Sequence, residues 1–166
     1  MAIYTNISRE ETQKIFIKIG KIISMEGILE GVENTNYKII LENKKKYIFT
    51  IFERRTKEED LPFFNQAMQE FKNDGIPCPT AIKVNEKTIF RIRNKNCSIY
   101  EYLEGRPINC INNEALLSLS KIVARLHRVG RASKLKRENT MLIPTWSHIL
   151  KKFDNFQDHK FTHEIK

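Results

Sequence analysis

The stretch 27–55, GILEGVENTNYKIILENKKKYIFTIFERR, constrains this 166-residue chain more than any other. Residues 36–42 and 47–52 are two runs rich in Ile, Tyr and Phe, and Asn43-Lys44-Lys45-Lys46 between them carries turn chemistry. β-branched and aromatic residues pack well on a pleated surface, so two such runs joined by a short polar stretch predict a hairpin. Residues 22–29 supply a preceding strand, which turns through Glu30-Gly31-Val32-Glu33-Asn34. Just beyond Arg54 and Arg55, Asp60-Leu61-Pro62-Phe63-Phe64 opens a helix. There Leu61, Phe64, Met68 and Phe71 share one face, Pro62 is tolerated in the first turn, and Gly75 is placed to end it. An antiparallel sheet with helices laid on it makes an α+β chain.

The flanks extend this order. Ser8-Arg9-Glu10-Glu11 has the spacing of a capping box, and Ile15, Ile19 and Ile22 follow at helical spacing, predicting a first helix of about a dozen residues. After Ile76-Pro77-Cys78-Pro79, two short strands are expected at 81–84 and 88–92, joined through Asn85-Glu86-Lys87, and a third at 97–103. The next helix is expected at about 113–128, with Leu116, Leu119, Val123 and Leu126 on one side and Gly130 as its stop. Trp146, Ile149, Leu150 and Phe153 predict one more short amphipathic helix.

Charge narrows the function classes. The formal net charge is +9, which invites a nucleic-acid reading. Residues 1–120, however, hold 18 Lys+Arg against 16 Asp+Glu, and residues 121–166 hold 11 against 4. The excess belongs to the tail, and basic and aromatic residues do not interleave, so nucleic acid is not the expected partner. No apolar run approaches the roughly 18 residues that would span a bilayer. The N-terminus has no export signal, and Cys78, Cys97 and Cys110 form no Cys-x-x-Cys pair. These features point to the cytoplasm and to reduced thiols. His159 and His163 are spaced to share a helix face, but no third ligand accompanies them, so no metal site is expected.

Three segments could carry chemistry. Gly27 and Gly31 flank the end of the first strand, and a glycine lets backbone N–H groups approach a phosphate without a Cβ in the way. No Gly-Lys-Ser/Thr follows, so this is not a Walker A loop. Alternation sets Thr50, Phe52 and Arg54 on one face of the third strand. Tyr100-Glu101-Tyr102-Leu103-Glu104-Gly105 ends the last strand in a turn. Read alone, each is also an ordinary strand end or loop.

Taken in order, these segments resemble homoserine kinases, relatives of the aminoglycoside and choline phosphotransferases. The resemblance rests on Met1-Ala2-Ile3-Tyr4-Thr5, Glu30-Gly31-Val32-Glu33-Asn34-Thr35-Asn36-Tyr37, Phe49-Thr50-Ile51-Phe52-Glu53-Arg54-Arg55 and Asp60-Leu61-Pro62-Phe63-Phe64. Gly75-Ile76-Pro77-Cys78-Pro79, Leu103-Glu104-Gly105 and Ala124-Arg125-Leu126-His127 continue it, with Arg137, Asn139 and Trp146 beyond. It covers nearly all of this chain and about half of a family member. It implies a protein kinase-like small lobe over residues 1–105 that binds ATP. Residues 106–166 would then be the hinge exit and the first helices of an incomplete large lobe. Gly27, Gly31, Asn34, Asn36, Thr50 and Arg54 would face the phosphates, and the hinge Glu101, Tyr102 and Leu103 the adenine. Kinases hold the α- and β-phosphates with a third-strand lysine paired to a helix glutamate. That lysine position falls at Thr50, with Arg54 as the substitute charge and Asp60, Gln66 or Glu70 as the helix partner.

The family transfers the γ-phosphoryl of ATP to homoserine with Mg²⁺, in threonine biosynthesis, using an aspartate of a His-x-Asp-x-x-x-x-Asn loop as base. No His-x-Asp occurs here, and the only aspartates are Asp60, Asp74, Asp154 and Asp158. The expectation is therefore a truncated or split kinase, inactive alone and completed by a second chain carrying the missing lobe. The alternative is a nucleotide-binding or scaffold remnant without turnover.

Overall fold

Strand β2 (Thr35–Leu41) shows how the pattern becomes a sheet. Thr35, Tyr37, Ile39 and Leu41 are buried, while Asn36, Lys38 and Ile40 between them are half-buried. That period of two gives each face of a strand its own residue set. The structure is a computed structural model that describes residues 3–108, 110–140 and 142–153. Strands β1 (Ile22–Gly27), β2, β3 (Lys46–Ile51), β4 (Phe90–Ile92) and β5 (Lys95–Glu101) form one antiparallel sheet in the order β1-β2-β3-β5-β4. The chain divides into two compact units between Leu135 and Lys136. The first holds the sheet with α1 (Arg9–Phe16), α2 (Leu61–Asn73) and α3 (Asn113–Ala132); the second holds α4 (Ile143–Phe153).

Each face of β3 packs a different helix. On one face Phe49 and Ile51 join Ile39, Leu41 and Ile99 in the main core. Phe16 of α1 lies edge-on to Phe49 and Tyr47, with ring centroids 5.9 and 6.1 Å apart. On the other face Ile48, Phe52 and Tyr100 meet Leu61, Phe64 and Met68 of α2. A single run of six residues therefore fixes both layers.

The α+β class, the three leading strands and the helices after them follow the sequence reading. Four local details do not. The first helix spans only Arg9–Phe16. Residues 81–84 form no strand; Ala81 makes one isolated bridge to Tyr100, and Val84 pairs with Lys87 across the Asn85-Glu86 turn. β5 begins at Lys95 and forms a tight hairpin with β4 through Arg93 and Asn94, at φ 47° and 62°. Helix α3 passes through Gly130 to Ala132, because an exposed glycine costs a helix only about 1 kcal/mol. His159 and His163 lie outside the described residues.

Two polar clamps tie the N-terminal segment to the sheet. Ser8 caps α1: its Oγ accepts from Glu11 N–H at 3.2 Å, and Glu11 Oε2 accepts from Ser8 N–H at 3.0 Å. Arg93 then donates to both Glu11 oxygens at 2.8 Å and to the Asn6 carbonyl at 2.7 Å. The second clamp is Glu53, whose side chain is 6 % exposed. It pairs with Lys95 and accepts from the hydroxyls of Thr5 and Thr35 at 2.7 and 2.6 Å. Burial works to raise the Glu53 pKa, but the bonds from Lys95, Thr35 and Thr5 prevail and hold it below the ordinary value.

The first clamp sets an acid limit. Hydrogen bonds from Arg93, then from the Ser8 backbone, lower the Glu11 pKa from 4.5 to about 2. A carboxyl whose folded pKa is depressed takes up its proton more readily when the chain unfolds. Its stabilisation is therefore complete above pH 4.5 and lost as the pH falls towards 2. Thermal melts of the wild type should show a decline in Tm across that window. In Glu11→Gln, which has no carboxylate to protonate, the decline should be shallower.

Candidate functional site

A cleft of about 870 Å³ opens between the second face of the sheet and helix α2. Its floor is Ile48 and Thr50 of β3 and Phe52 just beyond it, with Tyr100 from β5. Its roof is Phe63, Phe64, Ala67, Met68 and Phe71 of α2. The helix turns this row inward because Leu61 is buried beneath its first turn, beside Phe52 and Tyr100. The result is an apolar cleft bordered at one end by Glu101, Tyr102 and Leu103 and at the other by Glu33, Asn34 and Asn36. Clefts lined mostly by apolar side chains with a few polar groups take small molecules, the polar groups fixing their orientation.

The Glu101 end is held from several sides. Glu101 N–H donates to the Thr80 carbonyl at 3.1 Å, and the Glu101 carboxylate accepts from Lys72 of α2 and from Thr80 Oγ1 at 2.9 Å. The Lys72 bond, opposed by burial and aided by Thr80, holds the Glu101 carboxyl below its ordinary pKa. The Tyr102 ring lies under two ammonium groups, Lys38 at 5.1 Å and Lys46 at 5.4 Å, and Lys46 also pairs with Glu104. Glu101 and Tyr102 thus meet the cleft with side chains already committed, and Leu103 borders it beside them.

At the other end Thr50 Oγ1 donates to Asn36 Oδ1 at 2.8 Å, across the β2–β3 pairing of these two residues. Asn34 Oδ1 accepts from Glu53 N–H at 3.3 Å. Glu33 is paired with Arg55 at 3.0 Å. Among the described residues no lysine or arginine lines the cleft.

Of the nine residues expected to hold a cofactor, the structure brings Asn34, Asn36, Thr50, Glu101, Tyr102 and Leu103 to this one cleft. Gly27, Gly31 and Arg54 do not line it. Gly27 serves packing: a Cβ there would collide with the Ile3 side chain. Gly31 lies in the exposed β1–β2 loop at φ 115°, a backbone that favours glycine. Arg54 falls beyond the end of β3, where alternation no longer holds. It lines a separate depression with Tyr4, Arg55 and Lys95 that shares only Glu33 with the cleft. Asp60, Gln66 and Glu70 do not reach the cleft either; the charged residue that α2 sends towards the sheet is Lys72.

A divalent cation finds no ready ligands here. No three His, Cys, Asp or Glu converge among the described residues. The two carboxylates lining the cleft, Glu33 and Glu101, are each neutralised by a basic partner. The described residues therefore do not fit Mg²⁺. None of the described helices is long and apolar enough to cross a membrane.

Residues 24–161 match the phosphotransferase enzyme family. A homoserine kinase of Parvibaculum lavamentivorans is 32% identical over 161 residues, covering 95% of this chain and 49% of that protein. One from Methylorubrum populi is 33% identical over 150 residues, covering 88% and 46%. The chain thus spans about half the length of the curated relatives it matches. Among solved structures, a spectinomycin phosphotransferase in complex with ADP and spectinomycin superposes with a TM-score of 0.66 at 14% identity, over 92% of this chain and 48% of that one. An amicoumacin kinase in complex with AMP-PNP and Ca²⁺ gives 0.61 at 17%, over 78% and 42%. The sheet and helices share the fold of about half of each of these kinases.

Proposed function

The chain belongs to the phosphotransferase enzyme family, and from that footing we propose that it is the nucleotide-holding half of a homoserine kinase. The observation that carries the reading is the cleft itself, an apolar space between β3 and α2 that ends at Glu101, Tyr102 and Leu103. ATP fits its chemistry: the adenine lies between Ile48 and the α2 side chains with its edge on the hinge backbone, and the phosphates lead towards Asn34, Asn36 and Thr50. Gly31 and Arg54 stand outside the slot, on the Glu33 side. In this reading residues 1–105 are the nucleotide-binding lobe and residues 106–166 leave the hinge and begin a helical lobe.

The reaction breaks the bond between the β,γ-bridging oxygen and the γ-phosphorus and forms one from phosphorus to the homoserine hydroxyl oxygen. The hydroxyl proton must pass to a base. The family's base stands in a His-x-Asp loop, which this sequence lacks. The base, the ligands for Mg²⁺ and most of the acceptor site would have to come from polypeptide equivalent to the rest of the relatives' length. The exposed apolar side of α3, where Leu119 is 57 % exposed, is the surface we assign to contact with it. The three cysteines are free thiols, in keeping with work in the cytoplasm on a step of threonine biosynthesis.

An assay with γ-labelled ATP and homoserine tests this. The chain alone should transfer no label to homoserine. Co-expressed with the second half of one of its homoserine kinase relatives, it should do so. A second reading, a nucleotide-binding scaffold without turnover, draws on the same missing His-x-Asp motif. Under it, the co-expressed pair would bind ATP and still transfer nothing.

A further inference from the structure

A second hollow, of about 620 Å³, shares no lining residue with the cleft. Its apolar part is Ile15, Ile17, Val84, Ile89 and Phe90. Ile17, just past the end of α1, is 74 % exposed and so stands in water beside other apolar groups. The charged part of the lining is basic. Lys14, Lys18 and Lys87 contribute to it, and among the described residues none of the three has a carboxylate partner. Lys18 donates instead to the neutral Asn85 at 2.8 Å. The one carboxylate in the lining, Glu58, is taken by Arg91 at 3.0 Å. Three ammonium groups are thus left without counter-charge around an apolar surface. Phe90 and Arg91 belong to β4, which ends the sheet and pairs only with β5. One side of its backbone therefore meets no other strand.

We propose that this hollow docks an acidic, extended segment of a partner protein, one that carries apolar side chains among its carboxylates. The carboxylates supply the counter-charge that Lys14, Lys18 and Lys87 lack, and the apolar side chains remove Ile17 and its neighbours from water. An extended backbone suits the end of a sheet, where a peptide adds as a further strand. A nucleic acid would answer the charge alone. The only ring in the lining is Phe90, which packs against the main core and offers no platform for a base. Lysines at a sheet's end also serve to keep foreign strands away, but that role needs no apolar surface between them. The docking surface is independent of what the cleft binds.

Fluorescence anisotropy with the full chain tests this. The probe is a labelled peptide alternating Glu with Val and Leu, about eight residues long, the span of a strand. It should bind with a Kd of about 100 μM or tighter, and saturating AMP-PNP should not displace it. A peptide with Ser in place of Val and Leu should bind about tenfold more weakly. A thymidine oligonucleotide of the same length should be weaker by a similar factor of about ten. Lys14→Glu combined with Lys87→Glu should weaken the first peptide about tenfold or more, and Ile17→Ser about threefold or more. All three side chains are exposed, so the melting temperatures should stay within about 2 °C of the parent's. Equal binding of the serine peptide or the oligonucleotide would make the hollow a plain polyanion surface and overturn the proposal. Displacement by AMP-PNP, affinity untouched in the folded variants, or no binding at about 1 mM chain would overturn it too.

Discussion

Phe49→Ala is expected to remove about 3–5 kcal/mol from the stability of this chain, the largest loss that any single side chain here should cause. Phe49 has no solvent exposure, lies in the middle of the central strand and meets Phe16 edge-on at 5.9 Å. It is the contact through which α1 is pinned to the sheet. Truncation removes the ring's burial and leaves a cavity that neither β2 nor β5 can close, because both are held in register on either side of β3. Natural domains keep only about 5–15 kcal/mol in hand, and this one leaves Leu116, Leu117 and Leu119 of α3 exposed. Urea titration followed by tryptophan-independent circular dichroism measures the change. A shift below about 1.5 kcal/mol would mean that the core does not turn on this residue.

The second large effect concerns binding. Ala67 faces the cleft from α2 between Phe63 and Phe71, opposite the β3 floor. Ala67→Trp places an indole in the slot assigned to the adenine. Nucleotide affinity should fall by more than about a hundredfold, since planar ligand and indole compete for one apolar space. The fold should be nearly untouched, because the cleft has room and tryptophan costs a helix only about 0.5 kcal/mol relative to alanine. Titration with AMP-PNP, with the melting temperature as a control, separates blockage from unfolding. Undiminished affinity in a folded Ala67→Trp chain would place the nucleotide elsewhere.

Much of this architecture is written locally, and the features that are not share a cause. The capping box at Ser8 and Glu11 could be read because all its partners lie within four residues. The strands of the β2–β3 hairpin were legible because each is rich in β-branched and aromatic residues within a short run. Both strands of the β4–β5 hairpin were expected, but their tight turn was hidden because Arg93 and Asn94 adopt left-handed backbone without a glycine to announce it. The clamp on Glu53 joins Thr5, Thr35 and Lys95 from three distant segments and leaves no periodic trace.

The site divides the same way. Residues 100–103 and the Asn-x-Asn of residues 34–36 were visible as motifs. Phe64, Met68 and Phe71 were visible only as an apolar helix face, since the wall of a cleft and the wall of a core have the same periodicity. Leu61 proved to be core, and its helical companions proved to be cleft. For Arg54 the alternation was extended past the point where β3 stops at Ile51, and a side chain beyond a strand's end is no longer assigned to either face. The pairing of a helix lysine with a strand glutamate was open to no local rule because Lys72 and Glu101 lie far apart in the chain.

The most direct test of the central claim is amide hydrogen exchange of the chain with and without AMP-PNP. If the cleft holds the nucleotide, protection should rise at residues 101–104 and 33–37 together, the two ends of one slot. It should not rise around Lys14, Lys18 and Lys87, which line a separate groove. Protection confined to that groove, or none at saturating nucleotide, would contradict the account.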